Sequence, residues 1–92
     1  MKTIEVNETV YELEKNYKKA FELEIFLSRF TDYFQDFDYI FGDFSYDKLR
    51  LKGFYDDSNK NAKSLNKIST LDEYIKNYCS YECRYFLLKK KK

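Results

Sequence analysis

The chain has 92 residues, 43% of them hydrophobic and 21% aromatic, with 17 basic and 16 acidic side chains for a net charge of +1. A chain of this length encloses one core, and its apolar content is too high for a charge-solvated disordered segment. It contains no His, which excludes His-assisted Ser or Cys nucleophiles and His metal ligands.

Ten Tyr and nine Phe make this a core of large rings, with Tyr hydroxyls at its edge, where they find water or partners. Pro is absent, and the two glycines, Gly42 and Gly53, stand alone, so no phosphate-cradling Gly motif exists. The last four residues are lysines, and removing them from the net +1 leaves −3 on the body. Nucleic-acid binding would therefore have to use a local patch. Two Cys, no secretory signal and no run of roughly 20 apolar residues lead to the expectation of a cytoplasmic protein without a transmembrane segment.

In chain order, Thr3 to Val6 and Thr9 to Leu13 read as strands joined at Asn7-Glu8, because Asn tolerates the positive φ of a tight hairpin. Glu14-Lys15-Asn16 leads out. A helix begins near Glu22, with Leu23, Leu27, Phe30 and Phe34 as its inner stripe; the later start lets Tyr17 and Phe21 fold beneath it. Tyr39 to Phe44 and Leu49 to Tyr55 form the central hairpin, turning around Ser45-Tyr46-Asp47. Its second arm alternates, placing Lys48, Arg50, Lys52 and Phe54 on one face and Leu49, Leu51, Gly53 and Tyr55 on the other.

Residues 56–67 read as a mobile polar loop. Thr70 and Glu73 then form a capping box that opens a second helix, with Leu71, Tyr74, Ile75 and Tyr78 facing inward. Arg84 to Leu88 is nearly all apolar, as a strand buried on both faces would be. The expected fold is α+β, in the order β-β-α-β-β-α-β: a mostly antiparallel sheet with two helices packed on one face. Residues 1–88 make the domain and residues 89–92 a basic tail.

Four stretches carry a family resemblance: YELEKNYKKAF (Tyr11 to Phe21), DYIFGD (Asp38 to Asp43), LRLKGFY (Leu49 to Tyr55) and ISTLDEYIKNYCSYECRYFLLKK (Ile68 to Lys90). In order and content they resemble the YutD-like family of small bacterial proteins. The resemblance implies a compact α+β domain and cytoplasmic residence, and it brings no reaction, cofactor or active site.

Cys79 and Cys83 are the candidate reactive thiols, as a redox pair or as half of a zinc site completed by a second chain. The bland alternative is two small buried hydrophobes between the second helix and the last strand. Asp57, Asn59 and Asn61 imitate the opening of a calcium loop, but Ala62 and Ile68 stand where Gly and Glu are required. Asp36, Asp38 and Asp43 could gather into a magnesium site, although carboxylates at element ends are usually solvated. No cofactor or metal is expected.

The expected function is therefore non-enzymatic binding. RNA or a ribonucleoprotein would be held by the basic-aromatic face of Lys48, Arg50, Lys52 and Phe54, assisted by Lys89 and Lys90. The alternative is a protein-interaction module using exposed Tyr and Phe, and the third is a thiol-dependent redox or sensor role for Cys79 and Cys83.

Overall fold

Asn7 and Glu8 both take positive φ, 50° and 67°, the conformation of a two-residue hairpin turn whose twist matches the strands it joins. They connect β1 (Thr3–Val6) to β2 (Thr9–Tyr17), with Ile4 opposite Tyr11. The computed structural model describes residues 2–45, 48–64, 66–78 and 84–91. It continues with α1 (Leu23–Arg29), a 3-10 turn (Asp32–Asp36), β3 (Tyr39–Ser45) and β4 (Lys48–Phe54). A 3-10 turn (Ile68–Thr70), α2 (Leu71–Tyr78) and β5 (Tyr85–Lys90) complete it. The strands pair antiparallel in one sheet, β1-β2-β5-β3-β4. The α+β class and the element order are those expected.

The last strand lies at the centre of the sheet, which explains its composition. Phe86, Leu87 and Leu88 are all buried, alternating between the two faces. β5 runs through Lys90, with Lys89 opposite Glu12 and Tyr39, so Lys89 and Lys90 belong to the sheet and not to a tail. Pairing on both sides carries the strand past its apolar stretch.

The helices cover opposite faces, a correction to the one-face expectation. Phe26 of α1 packs in a cluster with Phe21, Ile40, Leu49, Phe86 and Leu88. Leu71 of α2 packs with Phe41, Phe54 and Leu87. Because Ile40 and Phe41, like Leu88 and Leu87, point to opposite sides, both faces are apolar and each needs a cover.

The inner stripe of α1 also differs. The chain leaves the helix at Phe30 (φ −73°, ψ 134°), so Leu23, Leu27, Phe30 and Phe34 never align on one helical face. Phe26 is the inward residue at 0% exposure, whereas Leu23 and Leu27 are 45% and 47% exposed. Phe21 does fold under the helix, its ring 5.7 Å from that of Phe26 and 5.0 Å from that of Phe86.

Neither glycine has a positive φ; what each supplies is room. A Cβ on Gly42 would fall on the Phe86 ring, and one on Gly53 on the Phe37 ring. β2 carries an irregularity between Leu13 and Lys15. Before it Tyr11 and Leu13 face α1; after it Lys15 and Tyr17 face α2, where Lys15 pairs with Asp72 and Tyr17 stacks on Tyr85.

Residues 56–67, expected as a mobile loop, are laced to the body. Asp38 Oδ2 accepts from Asp56 N–H (2.8 Å) and from Asn59 Nδ2 (3.0 Å). Tyr55 N–H donates to Asn66 O and Ile68 N–H to Tyr55 O, which closes the loop at its base. The Thr70 hydroxyl donates to Lys67 O in the 3-10 turn that precedes α2.

Two stability predictions follow from the packing. Gly42→Ala should destabilise the fold by about 1–3 kcal/mol through overpacking against Phe86, measured by urea denaturation; an unchanged midpoint would show that the ring can yield. The Tyr11 hydroxyl is buried without a partner among the described residues, so Tyr11→Phe should stabilise by about 1 kcal/mol. Burial pushes the Tyr11 phenol above its ordinary 10.0. The neutral form's advantage is intact below pH 10 and is lost as pH rises through the raised value, so the benefit of Tyr11→Phe should widen at alkaline pH. A benefit that shrinks there would contradict the assignment.

Candidate functional site

The alternation of β4 is as read: Lys48 and Arg50 are exposed, while Leu49 on the other face is buried. The side chains of this strand nevertheless do not form an open basic-aromatic face. Phe54 is fully enclosed at 0% exposure, packed against Tyr74 of α2, so it presents no ring to a base. Lys52 lies over the rings of Phe54 (5.3 Å) and Tyr74 (5.4 Å). Arg50 sits directly opposite Asp43 and donates from Nε (3.2 Å) and Nη2 (2.6 Å) to the two carboxylate oxygens. This hydrogen-bonded pairing holds the Arg50 guanidinium above its ordinary pKa. Asp43, one of the carboxylates read as solvated, is instead buried, so removing Arg50 would take the guanidinium from a carboxylate in the core.

Lys89 and Lys90 lie at the opposite end of the sheet from Lys48. Lys89 is level with Tyr39 and Phe54, about 20 Å along β4 from Lys48 at roughly 3.4 Å per residue. Lys90 Nζ donates to Gln35 O at 2.6 Å, and Lys89 Nζ lies 6.0 Å from the Tyr39 ring centre. Together with Lys91, Glu12, Asp38, Tyr39 and Asp56 they line an open cleft of about 390 Å³. Its acids and lysines oppose one another, so the cleft has no dominant sign of charge.

Cys79 and Cys83 lie outside the described residues. Asp36, Asp38 and Asp43 do not converge. Asp38 holds the 56–67 loop and Asp43 holds Arg50, and no group of three potential metal ligands exists among the described residues. Asp57 and Asn59 accept backbone N–H groups of Ser69 and Asn61, respectively. No described helix is long and apolar enough to cross a membrane.

Sequence reasoning missed the outer surface of α1 and the turn after it. Leu23, Ile25 and Leu27 are 45%, 37% and 47% exposed, and Tyr33 is 66% exposed. Around them Glu22, Glu24, Asp32 and Asp36 are exposed, with Arg29 the cation among them. Sequence spacing had placed Leu23 and Leu27 in the core; the signal against it was the charge interleaved in Leu-Glu-Ile. Although aromatic exposure was expected to be shared by Tyr and Phe, none of the nine phenylalanines is exposed.

Comparison with known proteins agrees with this geometry. A family model described as "Putative antitoxin YutD-like" matches residues 5–89. "Putative antitoxin YutD" of Bacillus subtilis (strain 168) is 51% identical over 80 residues, covering 87% of this chain and 88% of the relative. The solution NMR structure of protein yutD from B. subtilis superposes with a TM-score of 0.83 at 46% identity, over 100% of this chain and 84% of that one. With the family model spanning nearly its whole length and a relative 51% identical over 87% of it, the chain belongs to the YutD-like family.

Proposed function

We propose that the chain acts without catalysis, by holding a protein partner against the outer surface of α1 and the Asp32–Asp36 turn, as the antitoxin description of its relatives suggests. The observation that carries this reading is the inverted burial of α1: of its four large apolar residues only Phe26 is buried. Fully burying a Leu or Ile stabilises by about 1.5–3 kcal/mol, and Leu23, Ile25 and Leu27 retain a third to a half of that surface for a partner. Tyr33 adds a stiff ring with a polar tip, a composition favoured at the centre of interfaces. The carboxylates around this surface favour a partner with a basic rim, which would steer encounter.

An RNA-binding role for the Lys48/Arg50/Lys52/Phe54 face has less support, because Phe54 is enclosed and Arg50 is held by a buried carboxylate.

A photo-cross-linking residue at Leu27 should capture one protein of defined mass in cells, whereas the same residue at Lys60 should not. Adding Leu23→Asp should abolish the product while changing stability by less than about 0.5 kcal/mol, as surface substitutions do. Equal capture at both positions, or a large loss of stability, rejects the reading. Glu24→Lys with Asp32→Lys should slow association with the captured protein by roughly tenfold at low salt and much less at high salt; an unchanged rate would remove the charge argument and leave the apolar one.

A further inference from the structure

We infer that the end of the sheet where β2 stops and β5 begins is a binding site for single-stranded nucleic acid, built on the Tyr17–Tyr85 stack and the lysines beside it.

The strand register assembles this site. Tyr17 is opposite Tyr85, Tyr85 opposite Asp43, and Asp43 opposite Arg50, so the four form one row across β2, β5, β3 and β4 on the α2 face. The row spans about 14 Å at roughly 4.8 Å per strand. Tyr17 and Tyr85 stack with centroids 4.9 Å apart at 18°, and Tyr17 remains 45% exposed. It is a ring held in a fixed plane at the surface, the arrangement on which an unpaired base stacks. Duplexes keep their base faces hidden, so the chemistry selects single strands.

Cations surround the row. Lys18 Nζ lies 5.5 Å from the Tyr17 ring centre, an ammonium that a base would displace toward its own phosphate. Lys19 and Lys48 are exposed at the same end of the sheet, while Arg50, at the end of the row, is matched by Asp43 and adds no net charge. The carboxylate within the row, Asp43, is buried and bonded to Arg50. Compared with the expected β4 face, Lys48 stays and Tyr17 takes the role imagined for Phe54.

The backbone supplies a second observation. Lys18 and Lys19 hold φ of 57° and 54°, a left-handed conformation that Gly or Asn adopts at lower cost than Lys. The turn is organised by Asn16, whose O accepts from Lys19 N–H (3.4 Å) and whose Oδ1 accepts from Phe21 N–H (2.9 Å). Its geometry thus rests on Asn16, with the Lys18 ammonium over the Tyr17 ring and Lys19 exposed beside it. The site is on the face opposite α1, so it and the proposed protein surface can be occupied together.

The test is fluorescence anisotropy of the full chain with labelled twelve-nucleotide oligouridine, oligothymidine and an RNA duplex of the same length. Wild type should bind the single strands more tightly than the duplex, with affinity falling as salt rises. The double variant Lys18→Asn, Lys19→Asn relieves the left-handed strain, so it should melt at the same temperature or higher. It should still bind about tenfold more weakly, with a salt slope shallower by about 1.4 for two lost phosphate contacts. Tyr17→Leu should weaken oligonucleotide binding about tenfold and leave competition by inorganic polyphosphate unchanged. A preference between uridine and thymidine strands identifies the source as RNA or DNA.

Absence of salt-dependent binding overturns the inference. So does a loss that follows Lys60→Asn, Lys63→Asn in place of the Lys18/Lys19 pair. Full affinity in Tyr17→Leu reduces the interaction to polyanion attraction and sinks the stacking site. A cross-linker at Tyr17 that captures protein, with no oligonucleotide bound, would assign this surface to an interface instead.

Discussion

The contact between the Phe86 ring and the backbone of Gly42 is the constraint on which the rest of the structure depends. Phe86 sits on the central strand, buried completely, and its ring meets those of Phe21 and Phe26 edge-on. It can lie flat across β3 only because residue 42 has no side chain there. That depression lets α1, a helix of seven residues, settle low enough for a single phenylalanine to anchor it. A short helix with one anchor leaves its other apolar residues outside, and the exposure of Leu23 and Leu27 follows from the same packing.

The two faces of the sheet divide the work. The α1 side is filled by rings that touch from Tyr11 through Phe30 and Phe34 to Tyr33 and Phe37. On the other side α2 covers Phe41, Phe54 and Leu87 but leaves the β1–β2 half open, where Val10 and Tyr17 reach solvent. Charge is arranged accordingly, with carboxylates around α1 and lysines around the end of β2. The buried Asp43 does not disturb this pattern, because Arg50 reaches it from the adjacent strand with two hydrogen bonds.

Local signals were legible in the sequence, and those that depend on three-dimensional packing were not. The Asn7-Glu8 turn, the start of α1 at Glu22, the alternation of β4 and the two-sided burial of β5 are all written in neighbouring residues. The helices do not share one face because the apolar run of β5 is central and buried on both sides, so its second side needs a cover of its own. Phe54 was grouped with three cations by period alone, and period does not reveal that Tyr74 will lie over it. Lys89 and Lys90 looked like a tail because four lysines in a row have no strand propensity; pairing to β2 and β3 overrides that preference. The candidate sites were less legible still: the α1 surface arises from a helix that stops early, and the Tyr17–Tyr85 stack arises from register.

That register traces back to the irregularity at Glu14. Side chains on a strand alternate, so one additional residue inverts every later assignment of inside and outside. Up to Leu13, β2 contributes odd-numbered residues to the α1 core; beyond Glu14 the same parity sends Lys15 and Tyr17 to the far side. The irregularity therefore works as slack in the strand. Leu13 and Lys15 already pair with consecutive residues of β5, so a chain without Glu14 would keep Tyr17 opposite Tyr85 and Asn16 within reach of the Phe21 N–H. Among related chains, loss of a residue at this point would be silent, whereas loss from the regular ladder before it would have to be taken up at the same place or exchange the two faces.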